Sequence, residues 1–210
     1  TEPEKTFEEV LDEHPVSIQV NGQWQTFPNA KAAEEASYEE YKANLRRNAK
    51  NFRITDEHLG EGGPKAKFQA NVNAIRLLKE LEAAGQQASP EQQEVLSRYV
   101  GWGGLSDAFD PEKPAWALEY AQLKELLTPE EYAAARSSTL NAHYTSPTVI
   151  QAIYEAVDRM GFETGNILEP SMGVGNFFGM LPEKMRNSRL YGVELDPVSG
   201  RIAKQLYPKA

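Results

Sequence analysis

Two carboxylates, Glu169 and Glu194, each close a short apolar run, and a pair of glycines stands between them. Ile167-Leu168 leads into Glu169-Pro170-Ser171-Met172-Gly173-Val174-Gly175. Leu190-Tyr191-Gly192-Val193 leads into Glu194, nineteen residues past Gly175. A strand, a glycine turn, a helix and a second strand tipped by an acid make a nucleotide-type cofactor site. The glycines let the backbone approach a ligand, and the second carboxylate can accept ribose hydroxyls. Glu194 suits several cofactors, but Glu169 separates them. A dinucleotide presents an anionic pyrophosphate, which a carboxylate at the first strand end would repel. S-adenosylmethionine (SAM) presents an ammonium group, which the same carboxylate would balance. The third glycine of a dinucleotide fingerprint is also replaced by Phe178, with Gly179 one residue late. The spacing therefore predicts SAM and disfavours an NAD-linked oxidoreductase. The competing structural account is a tight turn whose glycines merely permit close packing and whose acids are solvated strand ends.

A second group lies about 22 residues upstream of the first strand, at Tyr144-Thr145-Ser146-Pro147. Ser146 reads as a helix N-cap, Pro147 as a first-turn residue and Tyr144 as a hydrophobic staple. The same geometry offers free N–H groups and a hydroxyl to an anion such as the methionine carboxylate. The expected pocket therefore takes Tyr144, Thr145 and Ser146 at the methionine end. Glu169, Pro170, Met172, Gly173 and Gly175 form the turn, Asn176 and Phe177 shape the floor, and Glu194 with Leu195 stands at the ribose. The three histidines, His14, His58 and His143, are scattered without metal-ligand spacing, so no metal site is expected.

These groups need elements to hold them. Ser17 to Phe27 alternates apolar and polar residues around Asn21-Gly22, a hairpin signal. The acidic residues 1–15 read as a frayed helix or tail. A helix is expected over about 30–48, with Ala33, Ala36, Tyr41 and Leu45 on its buried side. Phe68, Val72, Ile75, Leu78 and Leu81 recur at threes and fours, predicting an amphipathic helix that ends at Gly85. Ser89-Pro90-Glu91-Gln92 and Thr128-Pro129-Glu130-Glu131 each read as an N-terminal capping box. The first of these helices should bury Val95, Leu96 and Tyr99. Gly101-Trp102-Gly103-Gly104-Leu105 is a glycine-rich turn around one large aromatic. Trp102 is either a core plug or a surface ring that stacks on a base or a partner. From about 141 the pattern becomes α/β. It runs through a helix with Ile150, Ile153, Tyr154 and Val157 on one face, strand 166–169, a helix near 175–185, strand 189–194 and a helix from Pro197. Three regions result: 1–50, a tail, hairpin and helix; 51–140, helical; and 141–210, the first βαβα of a Rossmann-like sheet.

Composition narrows the class further. The chain has 210 residues, 40% hydrophobic and 25% charged, with no cysteine. There is no disulfide framework and no thiolate chemistry. No apolar stretch approaches the roughly 20 residues that span a bilayer, and no signal peptide is visible. The net charge is −9. Residues 1–50 carry ten acids against six bases, residues 51–140 fourteen against nine, and residues 141–210 seven of each. Nucleic-acid binding needs a basic face that displaces counterions, so DNA contact by this chain alone should be weak.

Aromatic-x-(Thr/Ser)-Pro upstream of acid-Pro-x-x-Gly-x-Gly-x-Phe resembles the N-terminal cofactor half of the gamma-class N6-adenine DNA methyltransferases, including the modification subunits of type I restriction systems. Ser146 stands where that family usually has Thr and keeps the hydroxyl. Glu169, Pro170, Gly173, Gly175 and Phe177 fall on its first cofactor motif, and Glu194 on its ribose position. A longer stretch, about Asn51 to Tyr207, is similar to the methylase portion of very large helicase–methylase proteins of phages and conjugative elements. Arg53 to Lys65, Ser97 to Leu105 and Ser138 to Pro147 carry that similarity. The resemblance implies methyl transfer from SAM to adenine N6 in DNA. It also implies DNA contact through the full-length protein, a helicase region in the same chain, and a cytoplasmic setting in a bacterium or phage-infected cell.

The family's Asn/Asp-Pro-Pro-Tyr/Phe loop, which receives a flipped adenine, is absent from this sequence. After the first cofactor motif the only x-Pro turns are Leu181-Pro182, Asp196-Pro197 and Tyr207-Pro208. No residue is assigned as catalytic, and the chain is expected to be an excised, inactive piece of such an enzyme. The alternative is a non-catalytic module that docks DNA or protein through a helical region centred on Trp102.

Overall fold

The computed structural model describes residues 14–210. Two compact units emerge, residues 1–49 and residues 50–210. In the first, β1 (Val16–Val20) and β2 (Gln23–Phe27) pair antiparallel, from Val16 opposite Phe27 to Val20 opposite Gln23. Asn21 and Gly22 both take positive φ, 53° and 75°. That pair matches the right-handed twist of the strands, which is why Asn-Gly closes two-residue hairpins. Helix α1 (Ala30–Asn48) follows, with Ala33 buried. The expected tail over residues 1–13 and the side chains of Tyr41 and Leu45 lie outside the described residues.

The second unit is built on α2 (Pro64–Ala83), whose stripe Phe68, Val72, Ile75, Leu78 and Leu81 is fully inside. Helix α3 (Pro90–Ser97) opens with the Ser89–Gln92 capping box. Leu96 and Tyr99 are buried, but Val95 is 40% exposed, because the short helix turns only one side to α2. Trp102 is a core plug, 1% exposed, with Tyr99, Phe68 and Phe109 edge-on at ring-centroid distances of 6.3, 6.0 and 5.3 Å. Surface stacking by Trp102 is thereby ruled out. Two short 3-10 turns, Ser106–Phe109 and Pro114–Trp116, lead to α4 (Ala117–Leu126) and α5 (Pro129–Ser138).

Helix α6 (Pro147–Arg159) buries Ile150 and Tyr154. Ile153, expected on the same face, is 42% exposed, so the buried stripe is narrower than the sequence period suggests. Strands β3 (Asn166–Glu169) and β4 (Arg189–Gly192) pair in parallel, from Asn166 opposite Arg189 to Glu169 opposite Gly192. Two further bonds extend the pairing, from the Val193 N–H to the Glu169 carbonyl and from the Met172 N–H to the Val193 carbonyl. Between them the expected helix of 175–185 shrinks to one turn, α7 (Asn176–Gly179), and a 3-10 turn at Glu183–Met185. Pro182 divides them, since it has no N–H to continue the ladder. Helix α8 (Pro197–Leu206) closes the unit.

Residues 51–140 and 141–210 share one hydrophobic core, from Phe68 and Trp102 to Phe178, Ile202 and Tyr207. A buried charge cluster reinforces the join. Glu131 on α5 accepts from Lys79 Nζ on α2 at 2.9 Å and from Arg201 Nη1 on α8 at 2.7 Å. Burial pushes the Glu131 carboxyl up. The bonds from Lys79, the Thr128 N–H and Arg201 outweigh that and hold it below the ordinary range. The segment before α2 is stitched on by Phe52 N–H to Leu206 and Ile54 N–H to Gly179, at 2.8 and 3.0 Å.

Trp102→Ala should lower unfolding free energy by about 3–5 kcal/mol, the range for a large aromatic removed from a core. Urea unfolding of the variant reads this directly, and a change under about 1 kcal/mol would mean the ring is not packed as described.

Candidate functional site

The glycine turn, the Tyr144 segment and the Glu194 strand end converge on one cavity of about 450 Å³. Tyr144, Thr145, Glu169, Met172, Gly173, Asn176, Phe177, Glu194 and Leu195 all line it. Three expected members do not: Ser146, Pro170 and Gly175. Ser146 does occupy the N-cap of α6, but its side chain makes no capping bond. Gly175 serves packing instead. It has φ of 85°, and a Cβ there would meet Tyr207 Cε2 at 2.5 Å and Met172 Cε at 3.0 Å.

Tyr144 sits at the centre of the arrangement. A Cβ on Gly173 would meet its Cε1 at 2.5 Å, and one on Gly101 would overlap its Cε2 on the opposite edge. The ring is therefore wedged between two glycines from separate motifs, both at positive φ. Its hydroxyl lies 2.9 Å from Ser199 Oγ, and burial raises its pKa. Ser199 in turn donates through Oγ and N–H to Asp196 Oδ2, where Asp196 caps α8.

Glu194 is held from both sides. Gly173 N–H donates to its Oε2 at 2.7 Å and Asp196 N–H to its Oε1 at 2.8 Å. Two charge-assisted bonds fix the carboxylate plane, and each oxygen keeps a lone pair for a ligand hydroxyl. Glu169 is the opposite case. Among the described residues no hydrogen bond or ion pair reaches its carboxyl, and burial alone raises its pKa to about 7. A carboxylate that is half-buried with no cation beside it is a place for a ligand cation.

The rest of the lining comes from the helical side: Ala134, Ser137 and Ser138 of α5, then Asn141, Ala142 and His143 of the α5–α6 connection. Sequence reasoning missed this wall. Its signal was the small residues at 134, 137 and 138, which share a helix face. Asp196 and Ser199 were also missed, although Asp-Pro-x-Ser is a legible cap. Three carboxylates line the cavity, Glu169, Glu194 and Asp196, with no lysine or arginine among the lining residues. A second cavity, about 340 Å³, is bordered by Arg53, Tyr154, Asp158 and Lys184. Among the described residues no cluster of metal-ligating side chains occurs, and no helix is long and apolar enough to cross a membrane.

No family model matches the chain, and no solved structure matches it. Over 150 residues, 71% of the chain, it is 25% identical to Defense against restriction protein B of Escherichia phage P1. Over 43 residues, 20% of the chain, it is 46% identical to the type II methyltransferase M.CvrRI of Paramecium bursaria Chlorella virus XZ-6E. The matched residues make up 5% of the first protein and 11% of the second. The similarity is to a methyltransferase and to a phage restriction-defence protein, each over a small part of its length.

Glu169 ties stability to pH. Its folded-state pKa, about 7, lies above the ordinary 4.5, so the folded chain holds this proton to higher pH than the unfolded one. Stability from the group is full below pH 4.5 and is lost as pH rises through 7. Glu169→Gln should therefore be more stable than the parent at pH 8, by roughly 1 kcal/mol after discounting for solvent screening. At pH 5 the two should nearly coincide. Thermal melts at both values check this, and equal differences at the two would refute it.

Proposed function

We propose that residues 50–210 contain the S-adenosyl-L-methionine site of a DNA methyltransferase, one that acts on adenine N6, built on the first part of a Rossmann-like sheet. One observation carries the reading: Glu169, half-buried and unpaired among the described residues, and a doubly anchored Glu194 face a single cavity with no lysine or arginine in its lining. A ligand suited to that cavity brings a cation and vicinal hydroxyls and no phosphate. The same charge balance argues against NAD, whose pyrophosphate would meet carboxylates with no lysine or arginine to offset them.

In this reading Glu169 orients the ammonium group and Glu194 accepts the ribose hydroxyls. Tyr144 and Thr145 border the methionine end, Asn176 and Phe177 floor the cavity, and Leu195, 96% exposed, offers an apolar edge at its rim. When bound, the cofactor supplies an electrophilic methyl group. This chain supplies binding and orientation, and no residue of it is assigned to base recognition or methyl transfer. DNA contact in the whole protein is assigned to other regions, in keeping with the net charge of −9. The similarity to the Chlorella virus methyltransferase supports the reaction class, and the similarity to the phage P1 protein supports a setting in mobile-element DNA.

Calorimetric titration of SAM into the 210-residue chain tests the reading. Saturable binding is expected, weakened about 10- to 100-fold by Glu194→Ala, as suits the loss of charged hydrogen bonds. NADH should give no heat of binding. NADH binding with no response to SAM would replace the proposal with the dinucleotide reading.

A further inference from the structure

The glycine-rich turn Gly101 to Leu105 has so far only a packing role, yet Gly101 lines the cavity. Asn71 on α2, fully buried, grips this turn from below. Its Nδ2 donates to the Gly101 carbonyl at 2.6 Å, and its Oδ1 accepts from the Val100 N–H at 2.9 Å. Above the turn, Gly101 abuts one edge of Tyr144, whose other edge abuts Gly173. Gly173 N–H in turn bonds to Glu194. An unbroken chain of contacts thus runs from a core asparagine to a carboxylate that faces the cavity.

We propose that Asn71 and Gly101 are positioning residues for the cofactor cavity, setting the Gly173–Glu194 bond through the wedged ring of Tyr144. This rests on the reading that the cavity binds SAM, and it gives the helical region a direct part in that site. Only glycine fits position 101. Its φ of +70° is costly for other residues, and a side chain there would displace Tyr144 toward Gly173. An asparagine at 71 satisfies one buried N–H and one buried carbonyl at once, which an apolar residue cannot do.

A double-mutant cycle tests the route. Gly101→Ala should weaken SAM binding at least tenfold in the parent chain. In a Tyr144→Ala background, where no ring remains to displace, the same change should alter affinity less than twofold. Equal losses in both backgrounds would overturn the proposal and assign the effect to backbone strain at 101. A ligand-free arm follows the Gly173 amide by NMR and hydrogen exchange. Both Gly101→Ala and Tyr144→Ala should shift its resonance and speed its exchange by tenfold or more. Tyr144→Ala removes the ring and its bond to Ser199 without adding bulk, so it remains informative if Gly101→Ala does not fold. An unmoved Gly173 amide in Tyr144→Ala overturns the proposal. Absence of SAM binding by the parent chain would sink the cofactor reading alone, and the amide arm would still decide the positioning role.

Discussion

The second unit is organised around one steric constraint: an aromatic ring held between two backbones that carry no side chains. Tyr144 can occupy its place only because positions 101 and 173 are glycine. The polypeptide must then bring a turn after α3 and a turn after β3 to within a ring's width of each other. Most of the fold serves that approach. Asn71 pins the first turn to α2, the Met172–Val193 pairing pins the second to β4, and Ser199 receives the tyrosine hydroxyl from α8. Close-packed interiors transmit small displacements, so a shift at any of these contacts reaches the cavity.

Charge divides the interior into two kinds of carboxylate. Glu131 and Glu194 are each held by specific donors, and both act as fixed parts of the structure. Among the described residues Glu169 has no such donors, and it carries the desolvation cost uncompensated. Folding alone gives no reason to keep an acid there, because burial without a partner is unfavourable. A ligand that supplies a positive group would remove that cost. Glu131 serves a different purpose, since it locks α2, α5 and α8 together and so fixes the wall opposite the glycine turn.

Much of the local structure was legible. The hairpin at Asn21-Gly22, both capping boxes and the α2 stripe depend on contacts within a few residues, and the chain writes them plainly. Misjudged positions share a cause. Val95 and Ile153 satisfy helical periodicity but face outward, because periodicity names a face and the neighbour decides how wide a stripe it covers. The helix expected over 175–185 is cut to the one-turn α7 because Pro182 interrupts it, a break that the apolar residues around it mask in the sequence. Gly175 looked like a ligand-facing glycine, and its packing against Tyr207 depends on a residue 32 positions away.

The sequence by itself determined the chemistry of the site: acids at two strand ends, glycines between them, and an aromatic before a serine-proline cap. Those features are short-range, and their spacing follows from strand and turn geometry. Only the tertiary structure decided which of them share a cavity, that α5 supplies its other wall, and that Trp102 is inside. It also decided that Glu169 stands unpaired among the described residues while Glu194 is anchored. Each of those outcomes depends on contacts between segments tens of residues apart. Residue spacing does not encode such contacts, whose energy comes from packing and desolvation across the whole core.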